Sequence, residues 1–208
     1  MKRFAIGLIA VLLIAGSASA MDLTGMFQLG VFGGYGMGFG EAFDDYDMTV
    51  MSQTVSVESS LQFNFGANMG YNFTPDMGIL GIVTYQMWKF ESSGTVQGQS
   101  FDESETESWI SVAANFAYYL MPEEPTKPYF FAGPAVYIPS MDGADTKIGV
   151  NGGIGVVHFF NENVALNARA RFEMIPSAYA TGTSGDEKAI TAGSANVGIS
   201  YFYGGTGE

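Results

Sequence analysis

Arg169, Arg171 and Glu173 fall at every second position of one short stretch. Residues two apart on a β-strand share a face, so these three form one linked set. Two guanidiniums and one carboxylate make an ion pair and leave a second cation that must find its own partner; Glu107 is the candidate. The chemistry on offer is charge neutralisation inside an enclosed space. Other reactive types are scarce. The chain has no cysteine, which excludes thiol catalysis, and its single histidine is His158 in "VVHFFNEN". A Ser–His–acid centre needs a serine within hydrogen-bond reach of that ring, and a zinc site needs several His or Cys ligands. The motif supplies neither. We expect His158 to be an interfacial residue with a polar tip, and we expect no catalytic residue, metal site or cofactor.

Carboxylates are plentiful but clustered. Glu41, Asp44, Asp45, Asp47 and Glu58 lie in one segment, Glu91, Asp102, Glu103, Glu105 and Glu107 in a second. Asp142, Asp145, Asp186 and Glu187 occupy two more. Such groups can hold Ca²⁺ or Mg²⁺, but none shows the ligand spacing of an EF-hand loop. A hydrated, mutually repelling surface is the simpler expectation.

The elements that position these residues are strands. In "SLQFNFGANMGYNF" (60–73) every second residue from Leu61 to Phe73 is apolar, while Gln62, Asn64, Gly66, Asn68, Gly70 and Asn72 are polar or glycine. That period of two marks a strand with unlike faces. Similar patterns place strands near 27–39, 61–73, 79–89, 109–120, 129–138, 148–159, 164–173 and 190–203. The third and fifth are apolar on both faces, so their facing stays open. Turn-rich connections at 74–77, 121–127 and 161–163 are short. Those at 40–60, 90–108, 139–147 and 174–189 are long. Short and long alternate strictly, as in an antiparallel meander whose one end is tight and whose other is elaborated.

The polar faces decide the environment. Within the eight spans the charged residues are Lys89, Arg169, Arg171 and Glu173 alone. A soluble barrel would carry charge on its outer strand faces. Here Gly, Asn, Ser and Gln suit an enclosed interior, where a charge needs a partner, and the apolar face is left for lipid. Closure also removes unpaired strand edges from hydrocarbon. The aromatics Tyr71 and Phe73, Tyr118 and Tyr119, Phe159 and Phe160, Tyr201 and Tyr203 are placed to form an interfacial girdle at the short-turn end. Gln28, Gly30, Gly34, Gly36 and Gly38 on strand one, with Gly149, Asn151, Gly153 and Gly155 on strand six, leave room for Trp109, Tyr119 and the two arginines. The interior is therefore expected to be plugged.

The first twenty residues have the layout of a cleaved secretory leader. Lys2 and Arg3 precede an apolar run, and Ala18-Ser19-Ala20 forms a small-residue site with Met21 following. Cleavage after Ala20 leaves residues 21–208 as one domain, with six basic residues against 21 acidic ones. Nucleic acid, which needs a basic patch, is not an expected partner.

On the leader, the eight-strand meander, the "KPYFFAGPAVY" strand start and the chain's ending, the sequence resembles the small eight-stranded outer-membrane β-barrels, the OmpA-like and opacity-type group. The resemblance covers residues 24–203. It implies an all-β, antiparallel up-and-down transmembrane barrel in the bacterial outer membrane, in contact with lipid and lipopolysaccharide. Asn196, Gly198, Tyr201 and Tyr203 are similar to the signal read by the barrel-assembly machinery, although "GGTGE" follows where family members end on the aromatic. The expected role is non-enzymatic: a monomer supporting envelope integrity or presenting the loops at 40–60 and 90–108 to an extracellular ligand. A narrow-lumen carrier of small apolar molecules is the alternative. A lipid-modifying barrel enzyme ranks below it, because Phe160 stands where the deacylating barrels place a serine two residues after their histidine.

Overall fold

The computed structural model describes residues 22–39, 46–50, 53–59, 62–96, 99–140, 145–181 and 186–205. Residues 1–21, with Ala18, Ala20 and Met21, lie outside them, as do Glu41, Asp44, Asp45 and Asp142. Among the described residues there are ten strands: β1 (Met26–Phe39), β2 (Tyr46–Val50), β3 (Gln53–Ser59), β4 (Gln62–Asn72), β5 (Met77–Val96), β6 (Gln99–Tyr119), β7 (Thr126–Pro139), β8 (Lys147–Phe159), β9 (Val164–Thr181) and β10 (Asp186–Gly204). Eight close on themselves. β1 is flanked by β4 and β10, and pairing runs from β4 through β5, β6, β7, β8 and β9 back to β10, antiparallel throughout.

The register fixes the two faces. Gly30 pairs with both Asn68 and Ser200, and Gly34 with both Asn64 and Asn196, so the polar rows of three strands share one side. That side is the interior. Gln62 is fully buried, whereas Val31, Met69 and Ile148 on the opposite face are each more than 60% exposed (66%, 65% and 71%). The two strands whose facing the sequence left open now resolve. Leu80, Ile82, Thr84 and Trp88 of β5, and Tyr129, Phe131 and Tyr137 of β7, are buried inside; Ile79, Val83, Phe130 and Ile138 are exposed outside.

Inward glycines let the sheet coil tightly. A Cβ on Gly66 would stand 2.1 Å from the Val83 carbonyl oxygen, and one on Gly198 would stand 2.1 Å from that of Val31. Only a residue without a side chain lets the neighbouring strand come so close.

Three tight turns close one end. In the first, Thr74 Oγ1 donates to Asp76 (2.7 Å) and accepts from the Met77 amide (3.0 Å). In the third, the Asn161 carboxamide oxygen accepts from the amides of Asn163 (3.0 Å) and Val164 (2.9 Å), a side chain mimicking a turn of backbone.

Two expectations are corrected. Segments 40–60 and 90–108 are not plain loops. β5 and β6 continue as a paired ribbon to Val96↔Gln99, β3 pairs with β5 through Val55↔Gly94 to Ser59↔Phe90, and β2 pairs with β3. Likewise β9 and β10 extend to Asp186↔Thr181 across 174–189. Backbone pairing continues although the sequence there has no apolar row to announce it. Second, Tyr119 and Phe159 do not join an outer girdle, Tyr119 taking instead the lumen place that the interior reading gave it. They are buried at inward positions, while Phe73, Tyr118, Phe160, Tyr201 and Tyr203 are exposed. Neighbouring aromatics on a strand point to opposite faces.

Candidate functional site

Among the described residues the lumen gathers the chemistry-bearing side chains, and β9 supplies charges to it. Asn167, Arg169, Arg171 and Glu173 are all buried at inward positions. Arg171 spans the cylinder. Its Nη1 donates to Thr84 Oγ1 on β5 (2.6 Å), and its Nη2 to Ser111 Oγ on β6 (3.2 Å) and Glu173 Oε1 (2.5 Å). Gln86 Nε2 donates to the other carboxylate oxygen at 2.7 Å. The carboxylate is thus held by a cation and an amide, which satisfies a buried charge in a low-dielectric space. Arg169 reaches the other way: its guanidinium lies 3.9 Å over the Phe32 ring, and Nη2 donates to Asn68 Oδ1 at 3.3 Å.

Below the arginines the filling turns aromatic. Tyr119 and Tyr129 pack at 5.3 Å, Tyr129 and Phe131 at 5.9 Å. The hydroxyls are used: Tyr129 donates to Asn167 Oδ1 (2.8 Å) and Tyr119 to Gln28 Oε1 (3.4 Å), while Gln28 Nε2 donates to Ser200 (3.0 Å). At the short-turn mouth, Phe159 and Phe202 meet at 4.8 Å and Leu23 is fully buried. Lys127 lies 5.8 Å from the Phe159 ring and donates from Nζ to the Pro122 carbonyl. Sequence reasoning missed Lys127, because a lysine at the edge of "MPEEPTK" reads as a solvated turn residue.

The remaining sequence candidates are dispersed. His158 is half-buried on the outer face of β8, its Nδ1 2.8 Å from Thr126 Oγ1 and its ring edge-on to Phe160; neither serine nor carboxylate is its partner among the described residues. Asn196 and Gly198 face inward, Asn196 donating to Ser194 Oγ (3.0 Å). Tyr201 and Tyr203 face outward, and Tyr203 stacks with Phe27 at 5.5 Å. Glu107 sits partly buried on β6, opposite Trp88 in the register.

A closed eight-stranded meander with a polar, ion-paired interior and an apolar exterior defines a class, the small β-barrels of outer membranes. The sequence model of the Outer membrane protein beta-barrel domain family matches residues 8–202. The chain belongs to that family and is a protein of the bacterial outer membrane. No curated protein matches it. Among solved structures it is similar to the outer membrane protein OprG from Pseudomonas aeruginosa, at 12% identity and a TM-score of 0.55, covering 91% of this chain and all of that one. It is also similar to Neisserial surface protein A, at 18% identity and a TM-score of 0.56, covering 85% of this chain and 98% of that one. At such identities the likeness is one of fold.

Proposed function

We propose that the protein is a non-enzymatic integral barrel whose eight strands cross the outer membrane, with the apolar wall against lipid and the lumen plugged. It acts as a rigid envelope element and presents the β2–β3–β5–β6 ribbon at the surface. One observation carries this reading: the exposed residues around the cylinder are aliphatic and aromatic, while the buried ones include Asn, Gln, Arg and Glu. Water would reverse that arrangement, and hydrocarbon favours it. Eight strands enclose only enough space for side chains to fill, and the Arg171–Glu173–Gln86 crossbar occupies it. That crossbar counts against the apolar-carrier reading. The Thr126 partner of His158 counts against a deacylating centre.

The same reading takes residues 1–20 as a leader cleaved between Ala20 and Met21, residues 21–208 as the barrel domain, and Asn196, Gly198, Tyr201 and Tyr203 as its assembly signal. It expects a monomer in contact with lipopolysaccharide. Fractionation with heat-modifiability on SDS gels tests it. The mature chain should partition with outer membranes and migrate faster unheated than boiled. A freely water-soluble monomer would overturn the proposal.

A further inference from the structure

The middle of the lumen has a charge imbalance. Arg169 and Arg171 are both about 95% buried (5% and 4% exposed), and the carboxylate among them is Glu173, which Arg171 engages. No carboxylate among the described residues lies within ion-pair distance of Arg169. The Phe32 ring offers a favourable quadrupole but no net charge, and the other partners of Arg169, Asn68 and the Tyr129 hydroxyl, are neutral. On these two arginines and their neighbours Asn68 and Asn167, the donors Arg169 Nη1, Arg171 Nε, Asn68 Nδ2 and Asn167 Nδ2 are buried without a partner among the described residues. The orientation of Asn68 follows from chemistry, since its oxygen must face the guanidinium and its NH₂ then points elsewhere. A buried polar atom without a partner is rare and calls for a ligand. A buried unpaired cation is costlier still.

We propose that the lumen binds one small monovalent anion of halide size between the two guanidiniums. Water could accept from these N–H groups, but it would leave the excess positive charge in place. An anion answers both deficits. Gly66 pairs with Thr84, which accepts from Arg171, and lies two residues from Asn68, which accepts from Arg169. The wall there is crowded, since a Cβ on Gly66 would stand 2.7 Å from the Phe32 ring and 2.1 Å from the Val83 carbonyl oxygen, which excludes a polyatomic oxyanion and restricts the ligand to a single ion. The protein is strongly acidic as a whole, with a formal net charge of −13, so the site sits as a positive centre within a negative molecule. The ion would serve as an internal counter-charge that locks the plug.

Thermal unfolding of the folded barrel in detergent tests this, with sodium bromide, sodium chloride and sodium gluconate compared at constant ionic strength. A ligand bound only by the folded state raises the midpoint with its concentration. Wild type should gain several degrees per tenfold halide and nothing from gluconate. Crystals grown in bromide should show an anomalous peak in contact with Arg169 and Arg171. Asn68→Asp places a carboxylate beside Arg169; it should remain heat-modifiable and lose its halide dependence. Arg169→Gln should lose the dependence as well, by removing the charge. Equal midpoints in halide and gluconate for wild type would overturn the proposal. So would a halide response retained in Asn68→Asp, or bromide crystals with no peak in the lumen.

Discussion

At the scale of single residues, the inward glycines and the ion pair carry the sharpest consequences. Gly66→Ala and Gly198→Ala each drive a Cβ to 2.1 Å from a neighbouring strand's carbonyl oxygen. Each should cost about 1–3 kcal/mol of stability, as overpacking does. Gly33→Ala, on the outer face with its nearest contact at 3.7 Å, should be close to neutral; urea titrations of the folded barrel in detergent compare the three. Arg171→Met strands a buried carboxylate and should cost about 3–5 kcal/mol, whereas Arg171→Met with Glu173→Met should cost much less than the two single changes summed. Asp22 adds a pH effect at the short-turn mouth. Its carboxylate accepts from the Thr24 hydroxyl (2.6 Å) and amide (2.8 Å), and these bonds hold its pKa below the ordinary 3.8. A depressed carboxylate pKa gives stability that is present above the unfolded value and disappears as pH falls through the folded one. The Thr24 amide resonance in micelles should therefore keep its bonded shift down to below pH 3.8, and Asp22→Asn should abolish the transition. The Arg169, Arg171 and Glu173 row was legible because its period of two survives translation into structure. Lys127 was not, since its burial depends on Phe159 arriving from a distant part of the chain.

Among the elements, legibility followed the apolar rows. β4, β9 and β10 announce themselves because one face is greasy and the other is not, and the register placed Asn64, Asn68 and Asn196 inside as their alternation implied. The outer halves of β5 and β6 stayed hidden. In "FESSGTVQGQSFDESETES" Ser and Thr fall at both odd and even positions, and backbone pairing by itself leaves no periodic mark in a sequence. The same contrast yields a prediction. Val31→Arg, near the middle of β1 on the outer wall, should destabilise a lipid-embedded barrel by about 2–4 kcal/mol. Thr106→Arg, exposed on the β6 extension, should change little. Refolding into vesicles measures both, and equal tolerance of arginine at the two positions would contradict a lipid-facing wall.

For the whole molecule, the lumen filling sets the electrical behaviour. A cylinder crossed by Arg171 and Glu173 and stoppered by Phe159, Phe202 and Leu23 should show no large, stable conductance steps in planar bilayers. Arg171→Ala with Glu173→Ala should raise the frequency of small openings without producing a wide channel, because eight strands do not leave one. Persistent large steps in wild type would contradict the plug.

The seam where the sheet closes has a consequence of its own. Gly205 donates its amide to the Gly25 carbonyl at 3.2 Å, so the start of the first barrel strand and the finish of the last are neighbours with nothing covalent between them. A few added residues could splice them, and new ends could be cut at the far rim between β7 and β8. Such a circular permutant keeps every strand pairing while reversing which ladder must form last. Its folding rate would therefore reveal whether sealing of the cylinder or formation of its hairpins limits assembly.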